Sequence, residues 1–386
     1  MTMLKNNLKQ FRLRAGLSQQ ALAGKADISR QAYLAIESGK SSPSTEVALR
    51  LALALGNQVD GLFSLAGEPP EYTWAELVGN SREESLDEDS TTGSTATPKR
   101  VRLWRVGDRL LARQVIGQTA ARHSLADAEG VLLPLGLTST SEDNRVSVQP
   151  FDGDDLASPT VSLLGCDPAM ALLEAGLGKH GVRLISSEEN SYRALTGLAL
   201  GEAHVAGCHL RDEDTGDYNL SWVRRLVPFP CVLVTFASWQ QGLIVMPGNP
   251  KNIFGVADLA RPEVRMVNRE PGSGSRSLLD RLLASQGIPA LALDGYHSEA
   301  PGHLAVASAV STGLADVGVG VQAAASALGL GFVTLEEERY DLVFPKHLID
   351  EPGVQALLDL LRSPGLHRRV EALGGYDVSN MGRPAA

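Results

Sequence analysis

Residues 264–287 read VRMVNREPGSGSRSLLDRLLASQG, an apolar run, a glycine-serine turn and a leucine-rich helix in succession. Val267-Asn268 ends a strand, Gly272 to Ser275 form the turn, and Ser275-Arg276 open the helix. The free backbone N–H groups of such a turn and the positive end of the helix dipole favour an anion. Ser273 and Ser275 would add donors without bulk, and Arg276 a planar charged fork. A structural Gly/Ser cap is the alternative reading. The turn is not a nucleotide phosphate loop, since no Lys-Ser/Thr follows, nor a dinucleotide fingerprint, since a third glycine is missing.

The same alternation recurs on both sides. VSLLG precedes DPAMALLEAGLGKHG, VRLIS precedes SYRALTGLALGEA, and HLAVASAVSTGLA precedes DVGVG, with HVAGCHL, CVLVTFA, GLIVMP and GFVTL as further strand-like runs. Strand and helix in alternation predict a parallel α/β sheet, whose binding crevice lies at the carboxyl ends of its strands. The EEER run at 336–339 reads as a solvated face.

Ahead of residue 156 the pattern changes. VRLWRVGDRLLARQVIG, from Val101, reads as a β-hairpin about Gly107-Asp108 and places a small β-rich segment over 101–155. Residues 67–100, with the acidic REESLDEDSTTGSTATPKR, have little to bury and read as a flexible linker. The division is therefore 1–66, 67–100, 101–155 and 156–386. A chain of 386 residues is long enough for several cores.

Net charge is −10, but residues 1–66 carry 8 basic against 4 acidic side chains, a local +4. A basic module on an acidic protein points to nucleic acid at that end. Cys166, Cys208 and Cys231 are odd in number and widely spaced, which suits neither a disulfide framework nor a zinc ligand set. The N-terminus has no signal-type apolar stretch and no apolar run reaches about 18 residues, so a cytoplasmic protein without membrane contact is expected.

Within that basic module, Ser18 is placed to cap a helix over Gln19–Lys25, Asp27-Ile28 to make a turn, and Ser29 to cap a second helix stopped at Gly39. Two short helices on a tight turn form a helix-turn-helix, whose second helix faces base edges. Ser29, Arg30, Gln31 and Tyr33 are the candidates near the bases, with Gln19, Lys40, Ser41 and Ser42 on phosphate. Leu17, Leu22, Ala26, Ile28, Leu34 and Ile36 are assigned to the core, and Glu37 to a pair with a basic residue such as Arg12.

Through LSQQALA, ISRQAYLAIESG and the proline of SSPS, this stretch resembles the helix-turn-helix domain of the Xre/phage-repressor family. The resemblance implies double-stranded DNA as partner, read by a homodimer on an inverted repeat. Residues from about 160 to 380 resemble the periplasmic-binding-protein-like domains fused to regulators and molybdopterin-biosynthesis proteins, which are related to molybdate-binding receptors. The carrying stretches are GCDPAMALLEAGL, LGEAHVAGCHLRDEDTGDYNL, QGLIVMPGNPKNIFGVADLA, VNREPGSGSRSLLD, HLAVASAVSTGLADVGVGVQAAA and GFVTLEEERYDLV. This second resemblance implies a two-lobed α/β fold closing on a ligand, expected to be an oxyanion such as molybdate or tungstate; the sequence itself offers no cofactor chemistry and no metal cluster, so neither a cofactor nor a metal is expected.

Carried over, the contacts are Cys166 and Asp167 in the first lobe and Ser273, Ser275 and Arg276 in the second, with His303 lining the crevice in a pattern with Glu299. His209 and Tyr218-Asn219 fall at the lobe crossing. Relatives tend to have a Gly-Ser turn where this chain has Ser186-Ser187-Glu188-Glu189-Asn190-Ser191. Either only Ser187, Asn190 and Ser191 face the crevice, or the ligand differs. The expected fold class is thus an all-α helix-turn-helix domain, a small β-rich segment and a two-lobed α/β domain. The expected function is a one-component transcription regulator and not an enzyme, as no Ser/His/Asp order or paired carboxylates stand in a catalytic context. Sensing of an organic anion such as a molybdopterin-type metabolite, a ligand-free dimerisation body, and an enzyme with a DNA-binding appendage are the alternatives.

Overall fold

The computed structural model describes residues 4–57, 59–65, 72–79, 99–115, 128–133, 145–151, 158–212 and 214–385. The chain divides into two compact units, residues 1–103 with 109–156, and 104–108 with 157–386.

The first unit opens with helices α1 (Leu8–Arg14), α2 (Gln19–Lys25), α3 (Arg30–Glu37), α4 (Thr45–Ala54) and α5 (Val59–Leu62), framed by an antiparallel pair, β1 (Leu4–Asn6) and β2 (Phe63–Leu65). The hydroxyls of Ser18, Ser29 and Ser44 accept the backbone N–H of Ala21, Ala32 and Val47 and so start α2, α3 and α4. Asp27 (φ 56°) and Gly39 (φ 73°) supply the left-handed turns that end α2 and α3. Leu8, Leu22, Tyr33, Ile36, Leu51 and Leu62 form the core, each aliphatic side chain stabilising it by about 1.5–3 kcal/mol. Leu34 is not part of it. At 100° per residue it turns off the Tyr33–Ile36 face and is 46% exposed.

Next in the chain is a closed barrel, in the order β3-β5-β4-β6-β7, of β3 (Thr73–Leu77), β4 (Arg100–Val106), β5 (Arg109–Gln114), β6 (Gly130–Leu132) and β7 (Arg145–Pro150). Gly107-Asp108 joins β4 to β5, with Gly107 at φ 55°. The linker read over 67–100 therefore extends too far, since Thr73–Leu77 pairs with both β5 and β7. Residues 80–98 of that reading lie outside the described residues.

The second unit is a mixed sheet. Its strands are β8 (Thr160–Gly165), β9 (Arg183–Glu188), β10 (Val205–Cys208), β11 (Cys231–Val245), β12 (Met266–Val267), β13 (Val317–Val321), β14 (Gly331–Pro345) and β15 (Tyr376–Asp377). The order β12-β13-β11-β14-β10-β8-β9, with β15 on β11, separates two parallel groups by the antiparallel β11 and β14. Each parallel group carries its helices and makes one lobe. The first lobe has α6 (Met170–Gly178), α7 (Ser191–Ala199) and α8 (Leu220–Leu226); the second has α9 (Gly274–Ser285), α10 (Gly302–Ser311) and α11 (Gln322–Ala327), with α12 (Pro352–Leu361) and α13 (Pro364–Glu371) returning to the first.

The sheet is thus not wholly parallel, as the alternation of strand and helix predicts. CVLVTFA and GLIVMP are one 15-residue strand, because Ser238 to Gln241 keep the alternation, with Trp239 and Gln241 buried and Ser238 and Gln240 half-buried. A single apolar cluster runs through both lobes, from Val161 and Leu163 past Trp239 and Tyr340 to Val306 and Val321. Among the described residues no helix is long and apolar enough to cross a membrane.

Candidate functional site

In the helix-turn-helix, Glu37 is a knot of three donors. Its Oε1 accepts Arg12 Nε and the Tyr33 hydroxyl, each at 2.8 Å, and its Oε2 accepts Gln19 Nε2 at 2.7 Å. Burial opposes the Glu37 charge, but these donors outweigh it and hold the carboxyl below its ordinary range. One assignment changes: Tyr33 is fully buried and belongs to the core rather than to the bases, while the half-buried Gln19 amide gives one hydrogen to Glu37 and keeps a second. Ser29 accepts the Ala32 N–H at the α3 cap and keeps its own O–H, and Ser29, Arg30, Gln31, Lys40 and Ser41 stand exposed at the start of α3 and beyond its end.

In the second unit, strand ends and helix starts from both lobes converge on the middle of β11 and β14. Cys166 and Asp167 follow β8, His209 follows β10, and Asn190-Ser191 open α7. From the second lobe come Arg269, just beyond β12, Ser273–Ser275 at the start of α9, and His303 at the start of α10. The lobes touch there: Asn190 Nδ2 donates to the Pro271 carbonyl at 3.4 Å, and a Cβ on Gly274 would overlap the His209 ring. Only glycine permits that approach.

Cys166 Sγ lies 3.7 Å from both His209 Nε2 and His303 Nε2, and all three residues are buried. His209 Nδ1 is 2.8 Å from Glu338 Oε2, and His303 Nδ1 is 3.1 Å from Arg269 Nη1. Burial works against a charged His209, but hydrogen bonds to Cys166 and Glu338 push its pKa up to about 9, so Nδ1–H donates to Glu338. Burial, then the charges of Arg269 and His209, press His303 well below its ordinary value. Neutral, it accepts from Arg269 at Nδ1 and carries its hydrogen on Nε2. Arg269, itself fully buried, keeps its charge by a bidentate pair to Glu270 at 2.8 and 2.9 Å.

Around this cluster several polar atoms are buried with no partner within the protein: Trp239 Nε1, Gln241 Nε2 and the Tyr340 hydroxyl, with Asp167 Oδ2. Trp239 and Gln241 share one face of β11, and the Trp239 ring lies 4.7 Å from that of Tyr340, 4.9 Å from His209 and 5.5 Å from His303. A buried donor left unmatched costs about 1–3 kcal/mol, so their grouping makes this the candidate place for a polar ligand. Asp167 Oδ1 is used by the Ala169 N–H and the Tyr376 hydroxyl, and burial raises the carboxyl to about 6.

Several sequence assignments are displaced. Arg276 does not face this place: it pairs with Asp280 at 3.1 Å, donates to the Arg269 carbonyl, and lies 4.2 Å over the Tyr296 ring. The buried cation is Arg269, seven residues earlier in the same motif. Ser273 caps α9, accepting the Arg276 N–H and donating to the Glu270 carbonyl, while Ser275 donates to Gln241 Oε1 at 3.1 Å. Ser191 accepts the His209 N–H, and Asn190 caps α7. Ser187 is half-buried at the end of β9, and it is Glu188 beside it that reaches the second lobe at Gly302.

The EEER run is no solvated face throughout. Strand alternation puts Glu338 inward with Tyr340, opposite Trp239 on β11. Nor is Cys166 isolated: it joins His209 and His303 across gaps of 43 and 137 residues, spacings that no local motif records. Next to His209 and Glu338 a cavity of about 360 Å³ opens between the lobes, lined by Arg211, Trp222, Arg225 and Arg281 among others.

A family model for the PBP superfamily domain matches residues 175–362, and a helix-turn-helix model matches residues 8–62. The uncharacterized protein YvgK of Bacillus subtilis is 35% identical over 231 residues, spanning 58% of this chain and 73% of that protein. An uncharacterized HTH-type transcriptional regulator of Methanocaldococcus jannaschii, MJ0272, is 40% identical over 60 residues, 16% of this chain and 91% of its own. Among solved structures, the sulfate-binding protein SubI of Mycobacterium tuberculosis is 15% identical at a TM-score of 0.42, covering 56% of this chain and 86% of that one.

Proposed function

The chain belongs to the Xre-type helix-turn-helix proteins fused to a PBP superfamily domain, and on that basis we propose that it is a cytoplasmic one-component transcription regulator that reads DNA and senses a small anion. The observation that carries the ligand class is Arg269, a fully buried guanidinium bonded to His303, together with three unmatched donors around the same histidine cluster, Trp239 Nε1, Gln241 Nε2 and the Tyr340 hydroxyl. Unmatched hydrogen-bond donors grouped with a buried guanidinium favour a ligand rich in acceptor oxygens. The class includes tetrahedral oxyanions such as molybdate and tungstate. Glu270 and Glu188 have their own places in this scheme: Glu270 takes Nε and Nη2 of Arg269, and Glu188 lies against the start of α10.

Binding between lobes works as a signal only through unequal affinity for the lobes apart and together. The readers at the N-terminus would dimerise on an inverted repeat, with Arg30 and Gln31 on bases and Lys40 and Ser41 on phosphate. Leu49 and Leu53, one turn apart on α4, are 56% and 87% exposed and supply apolar surface for a second copy.

A second reading is an organic anion, favoured by the cavity of about 360 Å³, a size typical of small-molecule pockets. Thermal shift and calorimetry with molybdate, tungstate, sulfate, phosphate and molybdopterin-type ligands test both. Stabilisation by the oxyanions alone supports the first reading, and by larger anions alone the second. Flat melts across the whole panel leave only a dimerisation body.

A further inference from the structure

We propose that Cys166, His209 and His303 form a binding site for a thiophilic divalent ion of the zinc class. All three are buried, and their donor atoms lie within 4.8 Å of one another. Zinc bonds of about 2.3 Å to sulfur and 2.0–2.1 Å to nitrogen, at a tetrahedral angle, place sulfur and nitrogen about 3.5 Å apart. Both Sγ–Nε2 separations here are 3.7 Å. The second shell matches on one side, since Glu338 takes the Nδ1–H of His209 and fixes Nε2 toward the ion, the arrangement metal-bound histidines favour. Thiolate with imidazole suits zinc, cobalt and copper over magnesium and calcium.

The other side identifies a control. With the ion on His303 Nε2, the ring hydrogen moves to Nδ1 and confronts the Arg269 Nη1 donor, now 3.1 Å away. Metal and the Arg269–His303 bond therefore exclude each other, and Arg269 has to leave His303 while retaining Glu270. Cys166 and His209 come from the first lobe and His303 from the second, so the ion would fasten the lobes together. Three protein ligands leave a fourth position, and the anion of the proposed function is suited to fill it; on this point alone the site rests on that reading.

The test is a cobalt(II) titration of the full chain stripped with EDTA. One equivalent should produce a thiolate-to-cobalt charge-transfer band and tetrahedral visible bands, both removed by zinc. Cys166→Ser should abolish the charge-transfer band, Cys231→Ser should leave it, and His303→Gln should weaken cobalt at least tenfold. Arg269→Gln, whose carbonyl can accept the Nδ1–H, should tighten cobalt severalfold while removing the anion response measured in EDTA. No band, or one that survives Cys166→Ser, overturns the site. An anion response without cobalt binding sinks the metal site and leaves the anion reading; cobalt binding without an anion response does the reverse.

Discussion

Glu188, the last residue of β9, places its carboxylate against Gly302 at the start of α10, so closely that a Cβ on Gly302 would overlap Oε1. Gly302 also has φ 76°, which a side chain tolerates poorly. The contact joins the two lobes at one point that has no room for a methyl group. Gly302→Ala should lower the melting temperature with and without ligand through backbone strain. It should also weaken anion binding at least tenfold, because the lobes can no longer approach as closely at this point. Calorimetry reading unchanged affinity would remove this contact from closure.

Arg269 and Arg276 separate the site from its scaffold. Arg269→Gln should abolish stabilisation by anions, whereas Arg276→Ala should change anion affinity less than about threefold and cost α9 its Asp280 and Tyr296 contacts. The two melts, each with and without molybdate, decide it. Loss of response in Arg276→Ala alone would restore the arginine nearer the helix.

On DNA, Arg30→Ala and Gln31→Ala should each weaken operator binding about tenfold, within the 1–3 kcal/mol typical of a base contact. Lys40→Ala should lower the slope of affinity on salt by about one. Tyr33→Phe should leave affinity within twofold, since its hydroxyl serves Glu37. Fluorescence anisotropy at several salt concentrations measures all four, and a Tyr33→Phe variant that alters sequence preference would return Tyr33 to the bases.

Glu37 gives the module an acid limit. A carboxyl held below its ordinary value contributes stability that is full above the unfolded pKa, about 4.3, and is lost as pH falls through the folded value. Glu37→Gln should destabilise the module by about 2–3 kcal/mol at pH 7, leaving Arg12 buried without its partner. The gap to the native chain should close below pH 4. Hydrogen exchange of the α3 amides at both pH values follows it, and a gap independent of pH would assign the loss to packing.

Much of the helix-turn-helix was legible because its signals are local. Ser18, Ser29 and Gly39 act within a turn of where they stand, and α2 spans Gln19–Lys25 as its cap implied. Tyr33 misled because an exposed polar tip and a buried ring look alike in a sequence. In the second unit the strands and helices could be read, but the site could not, as its members meet only through β11 and β14. Arg269 and Arg276 flank one glycine-serine turn, and side-chain direction after the strand end, rather than composition, decides which enters the cleft. Glu338 was hidden in an acidic run whose alternation is visible only once the run is known to be a strand.

The midpoints of β11 and β14 carry Trp239, Gln241, Glu338 and Tyr340, and β11 changes register against β14 between Thr235 and Ala237 and again between Gln241 and Gly242. These are the two strands that both lobes share, so the floor of the cleft is also what ties the lobes together. Under the proposed function, a turn of either lobe about them would leave a ligand seated there almost in place and carry the farthest helix tips through the longest arc, so the tightest chemical demands would fall on the residues that move least.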